Sequence, residues 1–164
     1  MHILVVDIGG TNVKMLASGQ EVPRKFPSGR ELTPQKMVDG VLAATQDWDY
    51  EAVAIGFPGP LLCGQPMTEP VNLGPGWMGF DFAGAFRRPV KVINDAAMQA
   101  LGSYQGGKML FVGLGTGFGA TVIMDGSHGT AGAWPVPLQE THAAAVRREP
   151  GAEAAGTKEM AAPC

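Results

Sequence analysis

Cysteine is nearly absent from this 164-residue chain: only Cys63 and Cys164 occur, far apart in sequence. Two such cysteines give neither a metal-ligand spacing nor a disulfide framework, and that usage fits a reducing cytoplasm. The three histidines, His2, His128 and His142, are scattered and none has a metal-ligand or triad partner. Basic excess is also lacking, with 12 Lys and Arg against 15 Asp and Glu and a net charge of −3. That balance argues against a nucleic-acid surface. No apolar stretch is long enough to span a membrane, and the chain opens directly on a strand-like run. The expectation is a soluble cytoplasmic protein with no signal peptide and no membrane partner. Its length suits one domain with a proper core.

Glycine, in contrast, is abundant, with 24 residues clustered at the ends of apolar runs. The organising stretch is Asp7-Ile8-Gly9-Gly10-Thr11-Asn12-Val13-Lys14, which follows Ile3-Leu4-Val5-Val6. A strand delivers a carboxylate to its end, two glycines turn the backbone, and a second apolar run leads away. Such glycines let main-chain N–H groups converge on an anion, Thr11 adds a hydroxyl, and Asp7 can hold a hydrated cation. A phosphate ester with bound magnesium suits that set. A plain hairpin turn needs no more than Gly-Gly, and the stretch taken alone leaves both readings open.

Further along, runs at residues 2–7, 12–18 and 21–26 predict three strands joined as antiparallel hairpins. Thr33-Pro34 predicts a helix start, with Thr33 as N-cap and Met37, Val38, Val41, Leu42 and Thr45 as the inward stripe. A buried strand over 52–56 precedes a long Gly- and Pro-rich loop over 57–79, a length that is usually functional or disordered, and Trp77 and Met67 within it favour an ordered loop. A short helix over 82–86, a strand over 90–93 and a helix over 95–104 follow. Strands over 109–112 and 120–124 flank Gly113-Leu114-Gly115-Thr116-Gly117-Phe118-Gly119. The order is an α/β layout resembling one lobe of the ribonuclease-H-like, actin-like ATPase fold.

The loop at 113–119 is not a dinucleotide fingerprint, because a strand rather than a helix follows it. Nor is there a P-loop, since Gly106-Gly107-Lys108 leads into Met109. What remains is a second strand-turn-strand resembling the opening hairpin. Two such turns can grip opposite sides of a phosphate chain. Asn94-Asp95 closes a strand and opens a helix, so capping is one reading. A general base for a sugar hydroxyl is the other, and both can hold together. Asn72-Leu73-Gly74-Pro75-Gly76-Trp77 reads either as an amide and an indole offered to a polar ring or as a rigid turn with a packed Trp.

Together these segments resemble the ROK family of sugar kinases, and within it the polyphosphate-glucokinase branch. The matching pieces are 7–14, Gly56-Phe57-Pro58-Gly59-Pro60, 72–77 with Gly79-Phe80-Asp81, 89–95 and 113–119. They occur in the family's order over roughly residues 2–126. The resemblance implies an N-terminal kinase lobe over 1–126, with the second lobe missing. It implies phosphoryl transfer from ATP or polyphosphate to glucose or a related hexose, with Mg2+ at Asp7. It makes Asp95 the base and puts Asn72, Asn94 and Asp95 on the sugar. Gly9, Gly10, Thr11, Asn12 and Lys14, with Gly115, Thr116 and Gly117, would bind phosphate. A homodimer is implied for the intact family protein. Ala97 stands where the family usually has Asn or Asp, Gly102-Ser103-Tyr104 where it tends to have Glu, and the family's zinc-binding cysteine cluster is missing. A non-catalytic sugar sensor is the other class, but family repressors carry an N-terminal helix-turn-helix for which residue 2 leaves no room.

Residues 127–164 read as an out-of-frame or disordered tail, rich in Ala, Pro and Gly without sustained periodicity. Shifted one nucleotide forward from His128, the codons permit Met-Val-Pro-Leu-Glu-Leu, and Trp134-Pro135 forces Gly. That resembles the family's Pro-Leu-Glu-Leu-Gly-His segment except at the His, which Pro135-Val136 does not allow. The expectation is a frameshift near 126–127 and a chain inactive as written, or an inactive remnant.

Overall fold

Alternating burial makes the first strand two-sided. In β1 (Ile3–Ile8), Leu4, Val6 and Ile8 are buried, whereas Val5 is exposed and Asp7 half-buried. β2 (Asn12–Ala17) pairs antiparallel with β1, and β3 (Arg24–Pro27) pairs antiparallel with β2. β4 (Ala52–Phe57) lies parallel to β1, and β7 (Val90–Asn94) parallel to β4. The resulting mixed sheet has the order β3-β2-β1-β4-β7. The computed structural model describes residues 1–114, 118–124 and 127–129. No described helix is long and apolar enough to cross a membrane.

One face of that sheet carries the core. Helix α1 (Pro34–Ala44) starts as its sequence demands, with Lys36 N–H donating to Thr33 Oγ1 at 3.3 Å and Pro in the first turn. Met37, Val38, Val41 and Thr45 point inward, but Leu42 is 37% exposed, a departure from the expected stripe. The helix can approach β3 closely because Gly40 has no side chain; a Cβ there would lie 2.8 Å from the Phe26 ring. Phe57, Trp77 and Phe82 stack in sequence, with ring centroids 5.7 and 6.4 Å apart. Trp77 is fully buried and its indole N–H donates to the Gly74 carbonyl at 2.7 Å. Trp77→Ala would cost about 3–5 kcal/mol.

The long loop is ordered, as expected from its Trp77 and Met67. It contains a two-stranded hairpin of β5 (Leu61–Leu62) and β6 (Gln65–Pro66), turned by Cys63 and Gly64, both at positive φ. Glu69 fixes its far end by accepting from the backbone N–H groups of Trp77 (3.0 Å) and Met78 (3.4 Å). α2 (Phe82–Phe86) is capped by Asp81, which accepts from Gly84 N–H at 2.9 Å.

The second glycine-rich hairpin belongs to a different sheet. β8 (Lys108–Leu114), β9 (Phe118–Met124) and β10 (Ser127–Gly129) form an antiparallel meander in the order β10-β9-β8. The two glycine-rich hairpins therefore sit in separate sheets. Helix α3 (Asp95–Ser103) packs on β4 and β7 of the first sheet and on β8 and β9 of the second. β10 falls within the stretch read as tail; residues from 130 onward lie outside the described residues.

Candidate active site

The opening loop orients its peptide groups unequally. Gly9 N–H donates to the Asn12 carbonyl at 3.0 Å, closing the turn. The Gly9 carbonyl accepts from Ser28 Oγ at 2.6 Å, and the Thr11 carbonyl from Ser28 N–H at 3.0 Å. Three loop carbonyls are thus occupied. The N–H groups of Gly10 and Thr11 and the Thr11 hydroxyl have no hydrogen-bond partner among the described residues. Free donors with tied-back acceptors are what an anion-binding turn requires. Glycine at position 9 spares the turn a close contact, since a Cβ would lie 3.0 Å from the Asn12 oxygen and force the backbone to give by a few tenths of an ångström.

Beside this loop the sheet brings two carboxylates together. Asp7 is paired in register with Lys14 on β2 and with Gly56 on β4. Partners in register point to the same face, so Asp7, Lys14 and the bare backbone of Gly56 share the side opposite the main core. The start of α3 rests on Gly56: a Cβ there would lie 2.9 Å from Met98 Sδ and 3.4 Å from the Asp95 Cα. Glycine therefore lets Asp95 approach the strand next to Asp7. Burial pushes the Asp95 carboxyl above the ordinary carboxylate value, the Ala96 N–H opposes this, and the negative charge of Asp7 adds to it. Asp7 is likewise raised by burial and partly restored by Lys14. Both acids are half-buried. A carboxylate held in a less polar setting beside another acid is a stronger proton acceptor than one in water.

The remaining expected site residues divide. Asn94 is buried and its side chain is heavily used: Oδ1 accepts from Ala96 N–H (3.1 Å) and Ala97 N–H (3.2 Å), and Nδ2 donates to the Gly59 carbonyl (3.2 Å). Capping is thus observed, and one amide hydrogen of Nδ2 remains for a ligand. Asn72 is exposed in the loop preceding the buried Trp77, so the indole packs inward and is not offered to a ligand. Gly115, Thr116 and Gly117 lie outside the described residues. Sequence reasoning missed Ser28, whose only local signal is a Pro-Ser-Gly turn, and gave Gly56 no role.

No cluster of three or more metal-ligating side chains occurs among the described residues. That does not conflict with magnesium, which keeps several waters and binds through one or two carboxylates plus substrate phosphate. The Asp7 carboxylate fits such a partner: it is half-buried and accepts no hydrogen bond from a described residue. A bound Mg2+ would supply charge neutralisation there.

Among solved structures, the chain is similar to an inorganic polyphosphate/ATP-glucomannokinase from Arthrobacter sp. strain KM. They share 24% identity at a TM-score of 0.68, over 80% of this chain and 62% of that one. A ROK family glucokinase from Streptomyces griseus, solved with glucose and AMPPNP, is 25% identical at a TM-score of 0.66, over 81% of this chain and 49% of that one. A ROK hexokinase from Thermus thermophilus is 24% identical at 0.62, over 78% and 48%. The chain thus spans between 48% and 62% of the length of these proteins. No curated protein sequence matches it significantly. The ROK family description matches residues 3–135, most of the sequence, and the chain belongs to the ROK family.

Proposed function

We propose that this chain carries the acceptor-activating side of a sugar kinase, transferring a phosphoryl group from ATP or polyphosphate to the primary hydroxyl of glucose or a related hexose. The observation that carries the reading is the placement of Asp7 and Asp95 together across Gly56, at the strand ends that also present the Gly9–Asn12 turn. In this mechanism Asp95 takes the proton of the sugar hydroxyl as its oxygen attacks the terminal phosphorus. The bond from phosphorus to the donor's bridging oxygen breaks, and its electron pair leaves with the donor. Amides of Gly10 and Thr11, the Thr11 hydroxyl and Lys14 stabilise charge on the transferred group. Asn72 and the remaining Nδ2 hydrogen of Asn94 would contact the sugar, and Gly115, Thr116 and Gly117 the phosphate chain. Asp7 would hold the hydrated magnesium.

A second element of the proposal concerns these 164 residues tested by themselves: because they match only 62% and 49% of the length of the two kinases above, they are expected to turn over glucose negligibly. A frameshift near 126–127 accounts for the tail, and reading the DNA across codons 124–164 decides it. Calorimetry on the purified chain tests the rest. Binding of magnesium polyphosphate supports the kinase lobe, binding of glucose alone would indicate a sensor, and binding of neither a remnant. Glucose phosphorylation that disappears in Asp95→Asn would overturn the inactivity and leave the role of Asp95 standing.

A further inference from the structure

We propose that Ser28 is the positioning residue of the opening turn, holding it in the form that receives a phosphoryl oxygen. The inference rests on the phosphate reading above and extends it to a residue outside the loop. Ser28 follows β3, and its two polar backbone and side-chain donors reach back over the hairpin. Its hydroxyl takes the Gly9 carbonyl at 2.6 Å, and its N–H takes the Thr11 carbonyl at 3.0 Å. These two acceptors flank Gly10, which has no side chain to restrain its backbone.

Each peptide unit is a rigid plane, so fixing a carbonyl also fixes the N–H on its other edge. The Gly9 carbonyl belongs to the same peptide as the Gly10 N–H. Holding that carbonyl toward Ser28 therefore aims the Gly10 N–H away from β3. Thr11 is constrained from its other side through its own carbonyl. Without the Ser28 hydroxyl, the Gly9–Gly10 peptide is free to rotate and to present its oxygen, which would repel a phosphate. An N–H replaced by a C=O at an anion site changes attraction into repulsion, so the effect exceeds a loss of loop order.

The test uses the full 164-residue chain and magnesium tripolyphosphate as the probe. Ser28→Ala is expected to weaken binding about fivefold, the size of one ordinary hydrogen bond. Ser28→Thr, which keeps the hydroxyl, should restore wild-type affinity, a rescue that simple destabilisation does not give. In the wild-type protein, tripolyphosphate should shift the amide resonances of Gly10 and Thr11. Equal affinity in wild type and a folded Ser28→Ala overturns the inference and leaves the phosphate reading intact. Failure of the folded wild-type chain to bind tripolyphosphate overturns that reading and this inference with it. If Ser28→Ala does not fold, the wild-type spectrum decides: amide shifts confined to residues other than Gly10 and Thr11 overturn the proposal.

Discussion

Two pairs of charged side chains at the five-stranded sheet have their carboxyls shifted in opposite directions, one by a guanidinium partner and the other by burial. At the β3 edge, Arg24 and Asp47 form an exposed ion pair, with Arg24 Nη2 donating to Asp47 at 2.8 Å and its guanidinium 4.3 Å over the Trp48 ring. The guanidinium lowers the Asp47 carboxyl to about 2. In the middle of the sheet, Asp7 and Asp95 are half-buried and both lie above the ordinary carboxylate value. The first pair is satisfied within the protein. The second has unspent negative charge, which a cation or a substrate proton can relieve, and functional sites are where such perturbed acids gather.

The sharpest way to break this contrast is to separate the central acids. Gly56→Val places methyl groups against Met98 and the start of α3, and should cost about 1–3 kcal/mol in urea unfolding, the range for overpacking. Wild-type stability would show that α3 does not rest on Gly56. Next in size, Asp95→Asn should raise Tm at pH 7, because it removes a carboxylate that the fold disfavours. The sign follows from linkage: a raised folded value makes the charged form costly, and that cost disappears as pH falls toward and below 3.8. The gain in Tm should therefore fade over the same interval, and a loss of Tm at pH 7 would contradict the raised state of Asp95.

Magnesium should act on the same pair. Millimolar Mg2+ is expected to raise the wild-type Tm and to raise that of Asp7→Asn less, by mass action on the folded state. Equal shifts in both proteins would remove Asp7 from the cation site. The smallest effect belongs to the outer pair. Asp47→Asn should lower Tm slightly at pH 7, less so in high salt, and the difference should vanish as pH drops from 3.8 to about 2. A Tm change there as large as that of Asp95→Asn would erase the distinction between the two pairs.

Local signals explain what was legible. The alternation in β1, the Thr33-Pro34 start of α1 and the Asn94 cap of α3 each arise within a few residues, and each is found in the structure. The β5–β6 hairpin was not legible, because two-residue strands containing Pro66 carry no periodicity. Leu42 turned outward because the face of α1 is set by where it lands on the sheet. Sequence also left the Trp77 indole open between a ligand and a core role. Its burial against Phe57 and Phe82 decided for the core.

Sequence by itself determined the pieces: a carboxylate at a strand end, a Gly-Gly-Thr turn after it, a capped helix opening on Asp95, and a family resemblance carried by their order. Only the tertiary structure decided their relation. Asp7 and Asp95 are far apart in the chain and meet because parallel crossovers place β4 between β1 and β7, with a glycine at the register position that separates them. Ser28 meets Gly9 because β3 returns alongside β2. Register and strand order are long-range properties of the sheet, set by burying Leu4, Val6, Ile55 and their neighbours on one face. That burial leaves the other face free to assemble the site.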